Sequence, residues 1–250
     1  MYRVNMQDTT NRKIIEKLGP YIVYEYDHDL STSSANAMQE YYAAKMNVRK
    51  RQVLCQLNGQ NDIIVQAGAM QWMLGNVSSA TNVKGVGDFA KKMLGSKVTG
   101  ESAIKPKYTG AGLLMLEPTY RHLLLEDVGS WNGMVIDDGL FLACDASVDL
   151  KTVSRKSFSS AIAGGEGLFN SCLVGSGYAV LESPVPREEL IEVTLENDVL
   201  KVDGNFAIAW SRSLDFTVER STKTLIGSAA SGEGLVNVYR GTGKILMAPL

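Results

Sequence analysis

A Gly-x-Gly triplet recurs three times in this chain at an almost constant interval, and a short apolar run follows each copy. The triplets begin at Gly110, Gly175 and Gly241, which lie 65 and 66 residues apart. A glycine followed by glutamate keeps nearly the same interval, at positions 100, 165 and 232. Repetition at a fixed period describes architecture, because each repeat is one supersecondary unit that packs against its neighbours. The repeating residues form turns and cores, so they predict shape rather than chemistry.

Longer blocks keep the same order in each unit. The apolar run at 113–118 corresponds to 178–183 and to 244–249. Further along, a strand-like block containing Gly139 corresponds to one containing Gly204, and a more diverged copy contains Gly68. A glycine inside a strand usually marks a bulge or a close approach of two backbones, and we expect one of these at Gly139 and Gly204.

The blocks predict one compact body, 1–250, of three β repeats that share a continuous core. The repeats span approximately 21–107, 108–173 and 174–250. We expect residues 244–248 to form a closing strand that completes a sheet near the first unit. Short strands separated by Gly, Asn, Asp and Ser are typical of all-β sandwiches and barrels. The run 195–199 is interpreted as a hairpin turn between two strands.

Three helical segments are predicted around this β body. Residues 1–20 read as a helical lead-in, because Ile14, Ile15 and Leu18 recur at helical spacing before a Gly-Pro stop. Residues 21–26 form the first predicted strand. Two helical insertions, at 37–46 and 86–95, interrupt the first unit.

The helix at 37–46 carries a stripe of large apolar side chains, Met38, Tyr41, Tyr42 and Met46. Core packing is the ordinary explanation of such a stripe, and an oligomer or partner contact is the alternative.

The composition indicates a soluble globular protein. Hydrophobic residues make up 45% and charged residues 21% of the 250 positions. The net charge of −2 gives no general attraction to nucleic acid or to anionic membranes. The sequence begins without an apolar signal region, and it contains no apolar run of about 18 residues that could span a membrane. We therefore expect a cytoplasmic protein.

Residues that could carry catalysis are few and scattered. His28 lies between two aspartates and reads as a solvated turn, whereas His122 stands at a strand edge. Neither has a cysteine or a second histidine at metal-ligand spacing. No Gly-x-Ser-x-Gly elbow precedes a helix. The acid pairs Asp137-Asp138 and Glu188-Glu189 are adjacent in sequence, so on a strand they point to opposite faces.

Binding motifs are equally weak. Gly85 and Gly87 precede a short predicted helix, but no Lys-Ser/Thr follows them, so a phosphate cradle is not indicated. The Gly-x-Gly triplets are interpreted as tight turns between strands. The basic residues Lys45 and 49–51 lack interleaved aromatics and read as a solvated face. The three cysteines, Cys55, Cys144 and Cys172, lie in apolar runs and read as buried thiols.

Several ordered blocks resemble the altered inheritance of mitochondria 24 family. They are Gly-Glu-Gly-Leu-Phe at 165–169, Gly-x-Gly-x-x-x-Leu at 175–181, Val-Asp-Gly-x-Phe-Ala at 202–207 and Gly-Glu-Gly-Leu-Val-x-Val-Tyr-x-Gly-x-Gly at 232–243. The resemblance implies a fold similar to the tryptophan RNA-binding attenuation protein (TRAP), a short double-stranded β-helix in three tandem copies with pseudo-threefold symmetry. It supplies no catalytic residues, and bacterial members have no established activity. A likeness of fold does not transfer RNA binding.

The sequence thus predicts a non-enzymatic scaffold or protein-interaction protein that self-associates, because strand-rich repeats leave sheet edges free to pair. We predict no catalytic, cofactor-binding or metal-binding residue, no cofactor and no membrane span. The partner is expected to be a second copy or another protein. The alternative is a module that binds a small ligand or nucleic acid in a groove between units. An enzyme is the least favoured class.

Overall fold

The computed structural model describes residues 2–6, 8–81, 105–154, 169–220 and 235–249. In these ranges the chain is mainly β-structure with one α-helix, α1 (Ala37–Lys45). The strands are β1 (Arg12–Leu18), β2 (Tyr21–Tyr26), β3 (Lys50–Asn58), β4 (Ile63–Val65), β5 (Met70–Ala80), β6 (Lys107–Leu116), β7 (His122–Asp127), β8 (Met134–Ile136), β9 (Phe141–Asp145), β10 (Val148–Ser154), β11 (Phe169–Gly175), β12 (Tyr178–Ser183), β13 (Ile191–Asp203), β14 (Ala207–Ser211), β15 (Asp215–Arg220) and β16 (Leu235–Met247). The all-β prediction is confirmed.

The strands form two curled, barrel-like sheets. The nine-stranded sheet has the order β1-β2-β3-β6-β4-β9-β12-β7, and β5 pairs with β6 beside this path. The seven-stranded sheet has the order β10-β11-β8-β14-β16-β13, and β15 pairs with β16. The observed pairings are antiparallel.

The largest core cluster joins the two sheets. Leu124, Phe141 and Leu181 come from the nine-stranded sheet and contact side chains of the seven-stranded sheet such as Ile136 and Leu246. Each sheet also encloses a cluster of its own, around Tyr21 in one sheet and Trp210 in the other. Burial of this apolar surface is the main term that stabilises the body.

The predicted helical lead-in is wrong. Residues 12–18 form strand β1, which pairs antiparallel with β2. Exposure alternates along the strand, so Ile14 and Leu18 share the half-buried face while Ile15 points to solvent. These residues form a strand because they pair with β2, although the three apolar residues have helical spacing. Tertiary context often overrides such a local pattern.

Two of the Gly-x-Gly triplets, at 110–112 and 241–243, lie inside the strands β6 and β16 rather than in the tight turns that we predicted. The triplet at 175–177 joins β11 to β12 through a two-residue bend, in agreement with the prediction of a turn. A Cβ atom on Gly110 would lie 2.0 Å from the carbonyl oxygen of Asn76. A Cβ on Gly175 would lie 2.6 Å from the carbonyl oxygen of Ser147, which precedes β10. The glycines therefore allow two backbones to cross closely where a strand bends.

The glycines expected at bulges are in fact turn residues. Gly68, Gly139 and Gly204 have φ angles of +83°, +76° and +61°, and each lies in a short turn between two strands. A Cβ on Gly139 would meet nothing within 4 Å, so the backbone angle and not close approach favours glycine there.

Two further expectations about the third unit need correction. The run 195–199 is not a hairpin turn: it lies inside the continuous strand β13, whose register against β16 shifts between Leu195 and Asp198. The C-terminal run does form a strand, but β16 pairs with β13, β14 and β15 of its own unit rather than near the first unit. The helix predicted at 37–46 is confirmed as α1. The helix predicted at 86–95 lies outside the described residues.

Candidate interaction surface

Helix α1 is a short appendage that follows β2, and its local sequence explains where it starts and stops. Ala, Met, Gln, Glu and Lys favour the helix. Before its first turn, the side-chain oxygen of Asn36 accepts hydrogen bonds from the backbone N–H and hydroxyl of Ser33, at 2.7 and 2.9 Å. After its last turn, Asn47 adopts a left-handed conformation with φ +59°, which ends the helix.

No residue of α1 is buried. Met38 and Met46 are each 76% exposed, and Tyr41 and Tyr42 are 58% and 61% exposed. We call these four side chains the α1 surface. The expectation that this stripe packs in the core is wrong, and the alternative of an oligomer or partner contact is the one that remains. The two tyrosine rings contact each other edge to face, with centroids 5.5 Å apart.

A groove of about 540 Å³ runs between α1 and the loop that follows β2. Leu30, Ala37 and Ala44 give it apolar walls, and Tyr41 links it to the α1 surface. Leu30 is itself 76% exposed. The groove therefore adjoins the α1 surface at Tyr41, and its other walls are polar: His28, Asp29, Thr32, Glu40 and Lys45.

A tyrosine links α1 to the β body, and an ion pair lies beside this contact. Tyr120 donates a hydrogen bond to the carboxylate of Glu40 at 3.4 Å. Lys50 pairs with Asp29, and its ammonium group lies 5.9 Å from the centre of the Tyr120 ring. The ion pair lowers the pKa of the Asp29 carboxyl. The hydrogen bond reaches the polar side of the helix at Glu40, whereas the four side chains of the α1 surface are exposed.

A larger cleft of about 1100 Å³ lies beyond the C-terminal end of α1. Its lining combines charged and polar side chains with apolar ones. The lining residues are Ile15, Glu16, Glu25, Met46, Asn47, Arg49, Arg51, His122, Leu123, Pro184, Val185, Pro186, Arg187, Glu188 and Glu189. Both charge signs are present. The cleft is thus suited to a zwitterionic or mixed-polarity ligand more than to a polyanion.

The main cations of this cleft are already paired. Arg51 lies 2.7 Å from the carboxylate of Glu25, and Arg187 pairs with the buried Glu126. Burial raises the pKa of Glu16, and burial followed by the charge of Arg51 lowers the pKa of His122. Lowering the pKa of His122 favours its neutral form. The cleft therefore presents little net positive charge.

The basic run predicted as a solvated face is instead bound to acidic neighbours. Arg49 lies 3.6 Å from Asp27, Lys50 pairs with Asp29, and Arg51 is buried against Glu25. Lys45 is exposed, as predicted, and lies over the Tyr41 ring. Because the three cations at 49–51 each have a carboxylate partner, the run offers no free row of charges for phosphates.

The candidate catalytic residues are not brought together. His28 follows β2, where its backbone N–H bonds the side chain of Asn11, whereas His122 begins strand β7, as predicted for a strand-edge residue. Asp137 and Asp138 lie in the turn after β8, and Glu188 and Glu189 in a 3₁₀ turn before β13. In the described part of the chain, no group of three or more His, Cys, Asp or Glu side chains could hold a metal ion.

The three cysteines are free and buried, as predicted. Burial raises the pKa of each thiol, and the Asp145 carboxylate adds to the effect at Cys55 and Cys144. A thiol held in its neutral form is a poor nucleophile. These side chains are core residues.

The fold and the surface define a two-sheet β body with an appended apolar helix. The chain belongs to the family described as mitochondrial biogenesis AIM24, whose match covers residues 44–250. It is 30% identical over 196 residues to an uncharacterised protein of Streptococcus pyogenes serotype M6, covering 75% of this chain and 77% of that protein. A crystal structure of a protein from Streptococcus pyogenes is similar, with a TM-score of 0.59 and 27% identity over 81% of this chain and 89% of that one.

The family match begins at Ala44, so most of α1 precedes it. Among the described residues, α1 is the only α-helix, and with nine residues it is too short to cross a bilayer. The sequence predicted the apolar stripe, with core packing as its ordinary explanation and an oligomer or partner contact as the alternative. The sequence signal that favours an interface over the core is the clustering of tyrosine and methionine, which are enriched in protein interfaces.

Proposed function

We propose that this chain is a non-enzymatic β-repeat scaffold that binds proteins, a second copy included, through the α1 surface. The observation that carries the proposal is the exposure of Met38, Tyr41, Tyr42 and Met46 on a helix with no buried residue. Taking roughly 200 Å² for a fully exposed large side chain, these four present roughly 500 Å². Contiguous apolar patches of this size on a protein surface commonly mark interaction sites.

The chemistry of the described residues supports a role other than catalysis. The thiols are buried and neutral, and the two histidines lie on different elements. His122 is the register partner of Ser183, but the Ser183 hydroxyl donates its hydrogen bond to the carbonyl oxygen of Val185 rather than to a general base. We therefore assign the chain to binding proteins rather than to enzymes. Free buried cysteines also fit the reducing cytoplasm.

Sheet edges contribute less to self-association than we first expected. The strands at the sheet ends carry charges that oppose edge-to-edge pairing: Lys13, Glu16 and Lys17 in β1, Asp127 in β7, Asp149 and Lys151 in β10, and Glu192, Glu196 and Lys201 in β13. Strand β5 differs, since none of its eleven residues is charged. The helix surface is therefore the stronger candidate, and β5 is the alternative contact.

We also propose the arrangement of three TRAP-like repeats with pseudo-threefold symmetry. Its support is the recurrence of a turn glycine at Gly68, Gly139 and Gly204, one in each unit, and of a Gly-x-Gly triplet at intervals of 65 and 66 residues. The boundaries proposed at 107/108 and 173/174 fall within β6 and β11, so the units share strands rather than loops.

A binding experiment with matched variants tests the proposed function. The double variant Met38→Lys/Tyr42→Lys should lose protein partners, the chain itself included, in affinity capture and sedimentation velocity. The control Met73→Lys changes a methionine that is 44% exposed on β5 and should behave as the wild type. Equal capture and equal sedimentation of all three proteins would refute binding through α1.

The charged cleft favours a second candidate function, the binding of a small ligand. Its volume of about 1100 Å³ is that of a ligand site, and Arg187 and His122 could orient polar groups. A panel of small zwitterionic and anionic ligands should then raise the melting temperature of the wild type but not of Arg187→Ala. Retention on RNA that falls steeply with salt would indicate nucleic acid instead.

A further inference from the structure

The α1 surface has a symmetry of its own. Met38, Tyr42 and Met46 lie four residues apart, so they follow one side of the helix over about 12 Å. In this row of three, the order methionine, tyrosine, methionine is the same when read from either end, whereas Tyr41 lies outside the row. At a two-fold axis residue i contacts residue j and j contacts i, so in a register centred on Tyr42 side chains of the same type meet.

An antiparallel pair of such helices brings matching side chains together. With the axis at Tyr42, Met38 faces Met46 of the second copy, and the two Tyr42 rings meet at the centre. The same register places Lys45 opposite Gln39, so no like charges face each other. It also opposes the two helix dipoles, which a parallel pair would align.

The available area suits a second copy. The α1 surface supplies roughly 500 Å² per chain, and Leu30 and Val48, at 76% and 47% exposed, adjoin the helix. Together they approach the roughly 800 Å² per partner of a standard interface. Tyrosine and methionine at the centre are the residue types that such interfaces favour.

We infer that the occupant of the α1 surface is α1 of a second copy, packed antiparallel about a two-fold axis at Tyr42. This inference rests on the proposed function and names the partner of that same surface. The helix serves as the dimerisation element of the β body.

Disulfide cross-linking of single-cysteine additions tests the register. The native cysteines are buried, so the wild type should not cross-link. Tyr42→Cys should form a disulfide dimer with itself under mild oxidation. Met38→Cys and Met46→Cys should each cross-link weakly alone, but a mixture of the two should give the heterodimer at least tenfold more efficiently. Circular dichroism confirms that each variant is folded.

Three outcomes decide between the inference and the proposed function. Cross-linking of Tyr42→Cys and of the mixed pair supports the inference. A monomer whose α1 surface still binds a different protein overturns the inference and leaves the proposed function standing. A dimer that survives Met38→Lys/Tyr42→Lys but is lost in Met73→Lys overturns both and places the contact on β5.

Discussion

At the residue scale, Asp145 connects the two halves of the nine-stranded sheet. Its carboxylate accepts a hydrogen bond from the Tyr21 hydroxyl at 3.1 Å and another from the backbone N–H of Tyr178 at 2.8 Å. Burial nevertheless raises the pKa of this carboxyl, because the two hydrogen bonds do not offset the lost hydration. Asp145 therefore has a fixed structural role and a stability contribution that depends on pH.

We predict that the stabilising effect of Asp145 weakens as the pH rises. Its pKa in the folded state lies above the unfolded value of about 3.9, so the folded state favours the protonated acid. The contribution is complete below the unfolded pKa and is lost as the pH passes through the folded pKa. Urea unfolding of the wild type and of Asp145→Asn should show a free-energy difference that falls from pH about 4 towards neutrality.

The control for this experiment is Asp149→Asn, on a side chain that is 73% exposed. Its free energy of unfolding should run parallel to that of the wild type across the same pH range. A difference between the wild type and Asp145→Asn that stays constant with pH would show that the burial of Asp145 has no effect on its ionisation.

The glycine at the bend of β6 gives a second prediction at this scale. Gly110→Ala should destabilise the protein by about 3 kcal/mol or more, because its Cβ would lie 2.0 Å from a backbone oxygen that cannot move alone. Gly139→Ala is the control. It adds only the strain of a left-handed backbone, about 1 to 2 kcal/mol. Chemical denaturation measures both values, and equal costs would contradict the close crossing of β5 and β6.

At the element scale, β1 and α1 show what a sequence pattern can and cannot decide. The apolar positions in β1 fit a helix or a strand equally well, and only the pairing with β2 selects the strand. In α1 the periodicity predicted the helix correctly, but the pattern does not say which surface the apolar side meets. That choice depends on the space left by distant strands, which one sequence does not contain.

The expectations for Gly110 and Gly139 were wrong, because each depends on which part of the backbone lies next to the glycine in the folded chain. The sequence predicts a bulge or close approach at Gly139 and a turn at Gly110, whereas in the structure Gly139 lies in a turn and Gly110 faces a neighbouring carbonyl oxygen. The cleft beside α1 was not predicted, because Glu16, Arg51 and Arg187 are far apart in sequence. Local sequence patterns therefore predicted strands. The position of the cleft and the close backbone approach at Gly110 depend instead on pairing between strands that are distant in sequence.

Helix α1 should be dispensable for folding even though it is an element of regular structure. We predict that Met38→Lys/Tyr42→Lys changes the free energy of unfolding of the monomer by less than about 1 kcal/mol, since surface substitutions have small effects. Tyr24→Ala, at a tyrosine only 2% exposed in β2, should cost about 3 kcal/mol or more. Denaturation at low protein concentration separates folding from association. A large loss in the double variant would mean that α1 supports the core.

At the scale of the whole molecule, one buried core spans the proposed second and third repeats. Leu246 and Ala248 of the proposed third repeat belong to the same buried cluster as Leu124 and Phe141 of the proposed second repeat. A unit of about 65 residues is too small to bury two faces alone, so each depends on its neighbours. The molecule should therefore unfold as one cooperative body.

Removal of residues 241–250 tests this coupling. The truncation deletes the half of β16 that lies between β13 and β14, together with Ile245 and Leu246, which are 0% and 2% exposed. Each lost aliphatic side chain costs about 2 to 5 kcal/mol, and a typical domain has only about 5 to 15 kcal/mol in all. The shortened chain should lose its thermal transition altogether, whereas removal of residues 249–250 alone should leave the transition in place. If calorimetry instead showed a smaller, intact transition from the nine-stranded sheet, that sheet would be an independent folding unit, because its own cluster around Tyr21 would then suffice without the third repeat.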